Sequence, residues 1–238
     1  MGAIFKRELR SYFTTPLGYV FIGVFLAATG FAYSMLTLIY SVGGEDADMS
    51  TYFTILIFSF IVLVPILTMK SFAEERRTRT EQLLLTSKVS LPGLVMGKFL
   101  AAYSVFAIAM LLSCTYFSTL GMYGTPNNAR IFGSVVAAML VAAAFISIGI
   151  FISALTESQL VAAIGTIAVL LFFMILSFAN SFIDNAVIRE VLNWLSVFSR
   201  YSAFTAGFFD FSALLYYASL CFAFLFATVR VYESRRWA

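Results

Sequence analysis

Two stretches of this sequence combine residue types and spacing that could carry chemistry. The first is Glu74-Glu75-x-x-x-Arg79, a carboxylate pair of the kind that serves as base or metal ligand in hydrolysis. The second is Gly93-x-x-x-Gly97-Lys98-Phe99, where glycines ahead of a lysine suggest a phosphate cradle. Neither completes a site. The chain contains no histidine, and no other residue type stands in for imidazole as base or ligand. A phosphate loop needs four residues between its glycines and Ser or Thr after the lysine, whereas here there are three, and Phe99 follows Lys98. The sequence therefore predicts no catalytic residue, no metal ligand and no cofactor bound by this chain.

Both stretches lie within Lys70–Lys98, the longest polar interruption of an otherwise apolar sequence. It holds Lys70, Glu74, Glu75, Arg76, Arg77, Arg79, Glu81, Lys88 and Lys98. The surrounding chain sets its context. Of 238 residues 61% are hydrophobic and only 11% charged, with a mean hydropathy of +0.95. A soluble domain of this size needs far more surface charge. A membrane-crossing helix needs about 20 mostly apolar residues, and six such windows are present. They are apolar all round rather than alternating, which excludes a β-barrel. The expected architecture is an all-α integral membrane protein of six transmembrane helices, over about 17–40, 52–69, 99–122, 131–155, 160–183 and 211–229. Cys114 and Cys221 fall inside apolar blocks, where they pack as small apolar groups and imply no disulfide framework.

Three further segments stand out. In residues 3–13, Ile4, Phe5, Leu9, Tyr12 and Phe13 share one helical face, and Lys6, Arg7 and Arg10 lie on the other. That suits a short helix in the membrane interface, or a plain basic anchor that sets orientation. Thr14-Thr15-Pro16 should end it. The first apolar block is too long for a cleaved leader and reads as a retained span. Residues 184–210 are too polar to cross: Ile188, Val191, Leu192, Leu195 and Phe198 recur at helical spacing among Arg189, Glu190 and Asn193. This predicts an amphipathic helix at the outer interface. The tail Arg230–Ala238 is basic and carries Trp237, a typical interface residue.

No charged residue sits near the middle of any span, which counts against an ion-coupled carrier or a selective channel. Small residues such as Ala142, Ala143, Ala144, Ser147 and Gly149 suit close helix packing instead. If the N-terminus is cytoplasmic, twelve Lys and Arg fall on the inner side against three outside. By the positive-inside rule both termini and the charged loop are then cytoplasmic, in a multi-pass cell (inner) membrane protein.

The charged loop also carries a resemblance. Phe72-Ala73-Glu74-Glu75-Arg76-Arg77-Thr78-Arg79-Thr80-Glu81-Gln82-Leu83-Leu84-Leu85-Thr86, followed by Leu91-Pro92 and Gly97-Lys98, resembles the signature of ABC-2 type transporter permeases. In that family the run lies between spans two and three as the coupling helix that docks on an ATPase subunit. Arg79 stands where the family most often has Gly, and Gln82 where its second acid falls. Phe5-Lys6-Arg7-Glu8-Leu9 with Pro16-Leu17-Gly18-Tyr19 resembles the family's interface helix entering span one. Leu155-Thr156-Glu157-Ser158-Gln159 resembles its tight turn between spans four and five, and 184–200 its exoplasmic helices. Together these cover most of the chain. Its length, that turn and the ending Arg235-Arg236-Trp237 look closest to the gliding-motility-associated permease subunit, the F component. The Glu-Glu-x-x-x-Arg match also resembles membrane-embedded prenyl-protein-type proteases, but those depend on histidine.

The resemblance implies a type V exporter-like permease with an N-terminal interface helix (Phe5, Lys6, Arg7, Leu9, Arg10) and an outer amphipathic helix. It implies ATPase coupling through Glu74, Glu75, Arg76, Arg77, Arg79, Glu81, Leu83 and Leu84. It further implies a separate ATPase that binds ATP and magnesium, a second permease copy or related permease, lipid around the spans, and no nucleic acid. From the residues alone, mixed charge would steer docking and Leu83, Leu84 and Leu85 would press into an apolar groove. The same loop read without the resemblance could be a solvated segment that only sets topology. A membrane scaffold of a surface machine is the alternative function. Nothing in the sequence names a substrate.

Overall fold

Pro16 separates the first two helices. α1 spans Gly2–Thr14, and α2, Pro16–Tyr33, starts with the proline in its first turn, where the missing N–H and fixed φ cost nothing. These come from a computed structural model, which describes residues 2–35, 49–80, 90–120, 128–179, 196–198, 200–201 and 210–237. The chain continues with α3 (Met49–Thr68), the short α4 (Ala73–Arg77), and α5 (Leu91–Ser113). A 3₁₀ turn, Cys114–Tyr116, leads into α6 (Phe117–Leu120), followed by α7 (Asn128–Leu155), α8 (Gln159–Ala179) and α9 (Phe211–Trp237). Six helices are long and apolar enough to cross a membrane, and no strand occurs among the described residues. The expected all-helical membrane architecture is the one observed.

α7 is the central helix, packed against α3, α5, α8 and α9. Its buried face consists largely of small residues, among them Ala137, Ala138, Ala142, Ser147 and Gly149. In lipid the association of helices rests on close van der Waals packing rather than on expulsion of water, so small residues set the contact distance. At Gly149 an added Cβ would lie 2.8 Å from the Thr68 Cβ of α3. Aromatic rings fill the space between α2, α3 and α5: Phe106 meets Phe60 edge-on at 5.0 Å and Phe25 at 5.6 Å between centroids. α8 lies on the outside, with Leu160, Ile164, Phe172 and Ile175 exposed.

Two boundaries differ from expectation. The third span was expected over 99–122 but begins at Leu91 and ends its α-helical part at Ser113. Ser90 holds an extended N-cap conformation and Pro92 occupies the first turn, so residues 91–98 of the expected charged loop are helix. The sixth span, expected over 211–229, continues unbroken to Trp237. Arg230 and Glu233 pair one turn apart at 2.8 Å, and this spacing supports the helix through the basic tail. Residues 36–40 and 180–183 of the expected first and fifth spans lie outside the described residues.

Candidate functional site

α3 ends at Thr68, and after four intervening residues α4 begins at Ala73, followed by the Glu-Glu-Arg-Arg run. Neither Phe72 nor Ala73 is exposed, so their backbone N–H groups cannot bond to water. Ser153 of α7 satisfies both: its Oγ accepts from Phe72 N at 3.0 Å and Ala73 N at 3.1 Å, and donates to Met69 O at 3.2 Å. A side chain from span four thus supplies the N-terminal cap that α4 does not supply itself.

The other end of α4 closes in a Schellman arrangement. Thr80 N donates to Glu75 O at 3.0 Å, and Arg79 N to Arg76 O at 3.1 Å. That geometry requires a left-handed residue between them, and Arg79 holds it at φ 56°. This explains why glycine is usual at this place in the resembling signature: only glycine takes the conformation without strain.

Under α4 lies a charge cluster that joins three segments. Lys98 of α5 is almost fully enclosed, its side chain 1% exposed. Its Nζ donates to Ser71 O at 2.7 Å and stands 2.9 Å from Glu75 Oε1 and 3.4 Å from Glu8 Oε2. The Phe72 ring lies beneath the ammonium, 4.9 Å to its centroid. Arg7 of α1 reaches over the same carboxylates, 2.7 Å from Glu8 and 3.2 Å from Glu75. The hydrogen bond to Glu8 raises the Arg7 pKa; partial burial opposes it, and the charges of Glu8 and Glu75 add to it. α1, the turn and the third span are therefore joined by two acids and two bases. Tyr12 adds a further tie, donating from its hydroxyl to Leu67 O at 3.0 Å.

Arg76 turns the opposite way. It donates to Leu155 O at 3.0 Å and pairs with Glu157 at 2.8 Å, which fixes α4 to the turn between α7 and α8. Glu74 pairs with Lys70 at 3.3 Å. Phe72 meets Tyr232 of α9, the rings tilted by 37° with centroids 4.8 Å apart.

The sequence expectations for this region resolve as follows. Glu74, Glu75 and Arg76 are spent on partners within the chain. Arg77 and Arg79 are exposed and make no ion pair among the described residues. Glu81, Leu83 and Leu84 lie outside the described residues. On α1, Phe5 and Leu9 pack against the bundle, while Lys6, Arg7 and Arg10 are exposed. Part of the apolar face of α1 thus meets protein: a Cβ at Gly97 of α5 would come 3.0 Å from Ile4. Of the outer amphipathic set, Ile188, Val191, Leu192 and Leu195 lie outside the described residues. Phe198 stacks on Phe58 at 5.4 Å and meets Phe145 at 6.2 Å.

Sequence reasoning missed Ser153 and Glu8, and it placed Lys98 in a loop. Lys98 could have been found from Ser90-Leu91-Pro92, a helix-start signal eight residues upstream. Ser153 left no signal, because a hydroxyl in an apolar run usually bonds its own helix. Among the described residues no cluster of Cys, Asp or Glu is arranged to hold a metal ion. The arrangement is a mechanical junction: it holds an exposed turn in fixed relation to α1, α5, α7 and α9.

No curated protein matches this chain. The family model described as ABC-2 family transporter protein matches residues 17–232, a stretch that runs from the start of span one almost to the end of α9. The chain accordingly belongs to the ABC-2 transporter family, as a multi-pass membrane permease.

Proposed function

We propose that this permease is the membrane half of an ATP-driven exporter, in which a separate ATPase docks on the turn carrying Arg77 and Arg79 and moves the spans through it. The family implies an ABC ATPase as partner. The observation that carries the coupling assignment is the cluster of Lys98, Glu75, Glu8 and Arg7 beneath the turn. A docking loop free of the bundle could bind a partner yet move nothing; this one is tied to α1, α5, α7 and α9. With Glu74, Glu75 and Arg76 already paired, the outward charge of α4 is cationic. The docking surface of the ATPase is then acidic at this point, with Glu81, Leu83 and Leu84 completing the contact. Two permease copies, identical or related, form the complete path, and ATP and magnesium sit on the ATPase. Both termini are cytoplasmic in the inner membrane on this reading. The subgroup linked to gliding motility is supported by the Glu157-Ser158-Gln159 turn and the Arg235-Arg236-Trp237 ending.

The test is purification of the tagged permease from native membranes in mild detergent, with ATP hydrolysis measured and partners identified. A stoichiometric ATPase subunit is expected, and Arg77→Glu with Arg79→Glu together should abolish its retention while membrane insertion stays intact. A permease that keeps the ATPase despite both reversals overturns the docking site. A preparation free of any nucleotide-binding subunit, under conditions that keep other complexes whole, favours the scaffold reading.

A further inference from the structure

An apolar groove of about 620 Å³ runs between α5 and α9, floored by Leu140 and Ala143 of α7. On α5 it extends from Pro92 to Tyr103, which at ~1.5 Å per residue is about 17 Å of helix. The hydrocarbon of one bilayer leaflet is about 15 Å deep, half of the ~30 Å core. On α9 the groove runs further, from Tyr217 to Glu233, about 24 Å at ~1.5 Å per residue, the depth of one leaflet with its headgroup layer, roughly half of the ~40–45 Å bilayer. One end stops at Tyr103, half-way along α5, and at Tyr217, towards the start of α9. The other is closed by Arg230 and Glu233, at the same end of the molecule as the Lys98 cluster, since the neighbouring Tyr232 packs against Phe72.

Arg230 and Glu233 give that end a defined chemistry. They are 2.8 Å apart, with side chains 65% and 40% exposed, and the Arg230 guanidinium lies over Phe226, 5.0 Å from the ring centroid. Nη1 of Arg230 donates to Glu233 Oε2. A guanidinium has five N–H donors in all, so most remain for a phosphate. The carboxylate likewise keeps acceptor sites for an ammonium group. An exposed cation and anion side by side match a headgroup that carries both charges, phosphate and primary ammonium.

We propose that this groove is a binding site for a phospholipid of the surrounding bilayer with a phosphoethanolamine headgroup. One acyl chain lies along Phe99, Leu100 and Phe222, the phosphate sits on Arg230, and the ammonium sits on Glu233. A phosphocholine headgroup cannot donate a hydrogen bond to Glu233, and a phosphoglycerol headgroup, net anionic, brings no cation to pair with the carboxylate. The bound lipid acts as a structural ligand between spans three and six.

The full-length permease is placed in bilayer nanodiscs with equal amounts of phosphatidylethanolamine, phosphatidylglycerol and phosphatidylcholine, released gently, and weighed with its bound lipid by native mass spectrometry. Phosphatidylethanolamine is expected to be retained preferentially, one per chain. Glu233→Gln should reduce that preference about tenfold, because the glutamine oxygen can still accept from the ammonium but no longer carries the opposite charge. Arg230→Gln should weaken retention of all three lipids. Ala218→Trp, at an exposed position of the groove wall, should expel lipid without altering the helical circular dichroism. Retained lipid that mirrors the bulk mixture, or a headgroup preference unchanged by Glu233→Gln, overturns the proposal. The Glu233→Gln comparison decides the matter even if the tryptophan variant does not fold.

Discussion

Lys98 Nζ lies 2.9 Å from Glu75 Oε1, and of the two side chains the lysine is 1% exposed and the glutamate 17%. The pair bridges the third span and the turn after the second. Removing one member of a buried pair costs about 3–5 kcal/mol, because the remaining charge is left uncompensated. Lys98→Met should therefore destabilise the detergent-solubilised protein by roughly 3 kcal/mol. Glu75→Gln should cost less, since Glu8 stays beside the ammonium at 3.4 Å. Combining the two should be less damaging than their sum, as expected for residues in contact. Thermal unfolding followed by a thiol-reactive dye at Cys114 and Cys221 measures all three. Strict additivity would show that the pair does not couple.

Ser153 is the second point of vulnerability. Ser153→Ala leaves two enclosed backbone N–H groups without an acceptor, at about 1–3 kcal/mol each. The volume change is small, so packing contributes little. The expected loss is about 3 kcal/mol, accompanied by faster protease cleavage near Arg77, while Ser104→Ala on the exposed side of α5 should change neither. Equal behaviour of the two variants would remove Ser153 from the role assigned to it.

Gly149 tests how closely spans two and four must approach. With a Cβ at this position only 2.8 Å from the Thr68 Cβ, Gly149→Ala should force the helices apart and cost about 1–3 kcal/mol, the usual range for overpacking. Thr68→Gly introduced alongside removes the Thr68 Cβ itself and should recover most of the overpacking loss, whereas Thr68→Ala, which keeps that Cβ, should recover only part. Failure of that rescue would place the strain elsewhere.

Arg79 allows stability and docking to be separated. Left-handed geometry costs an ordinary residue about 1–2 kcal/mol, while glycine loses about 0.5–1 kcal/mol more backbone entropy on folding. Arg79→Gly should therefore leave stability unchanged or raise it by up to about 1.5 kcal/mol, and Arg79→Val should lower it. On the coupling reading, Arg79→Gly also weakens retention of the ATPase, through lost charge rather than lost fold. A melting curve and a pull-down on the same preparation give both readouts.

The sequence made the spans legible because the membrane imposes one strong condition, a long apolar window, and α2, α3, α5, α7, α8 and α9 each meet it. It made the position of the charged turn after the second span legible through the Glu-Glu-Arg-Arg run. The direction in which each charge points was not legible. Glu75 and Arg77 are two residues apart on a single helical turn, yet one is enclosed against Lys98 and the other faces outward. That difference is decided by α1 and α5, which approach from 68 residues before Glu75 and 23 residues after it. Lys98 looked like a loop residue because it is charged; it is tolerated inside a helix because two carboxylates and a carbonyl meet it there. The left-handed turn at Arg79 was half legible, as the place where glycine is usual in the resembling signature.

The unbroken course of α9 has a mechanical consequence. Tyr232 near one end touches Phe72 beneath the turn, and Tyr217 near the other donates to Val197 O at 2.7 Å. About 22 Å of continuous helix separates the two, at ~1.5 Å per residue. A hydrogen-bonded helix of that length resists compression far better than it resists tilting, so it works as a push rod. Displacement of Phe72 by a bound partner would reach Val197 on the far side of the bundle without any rearrangement between them.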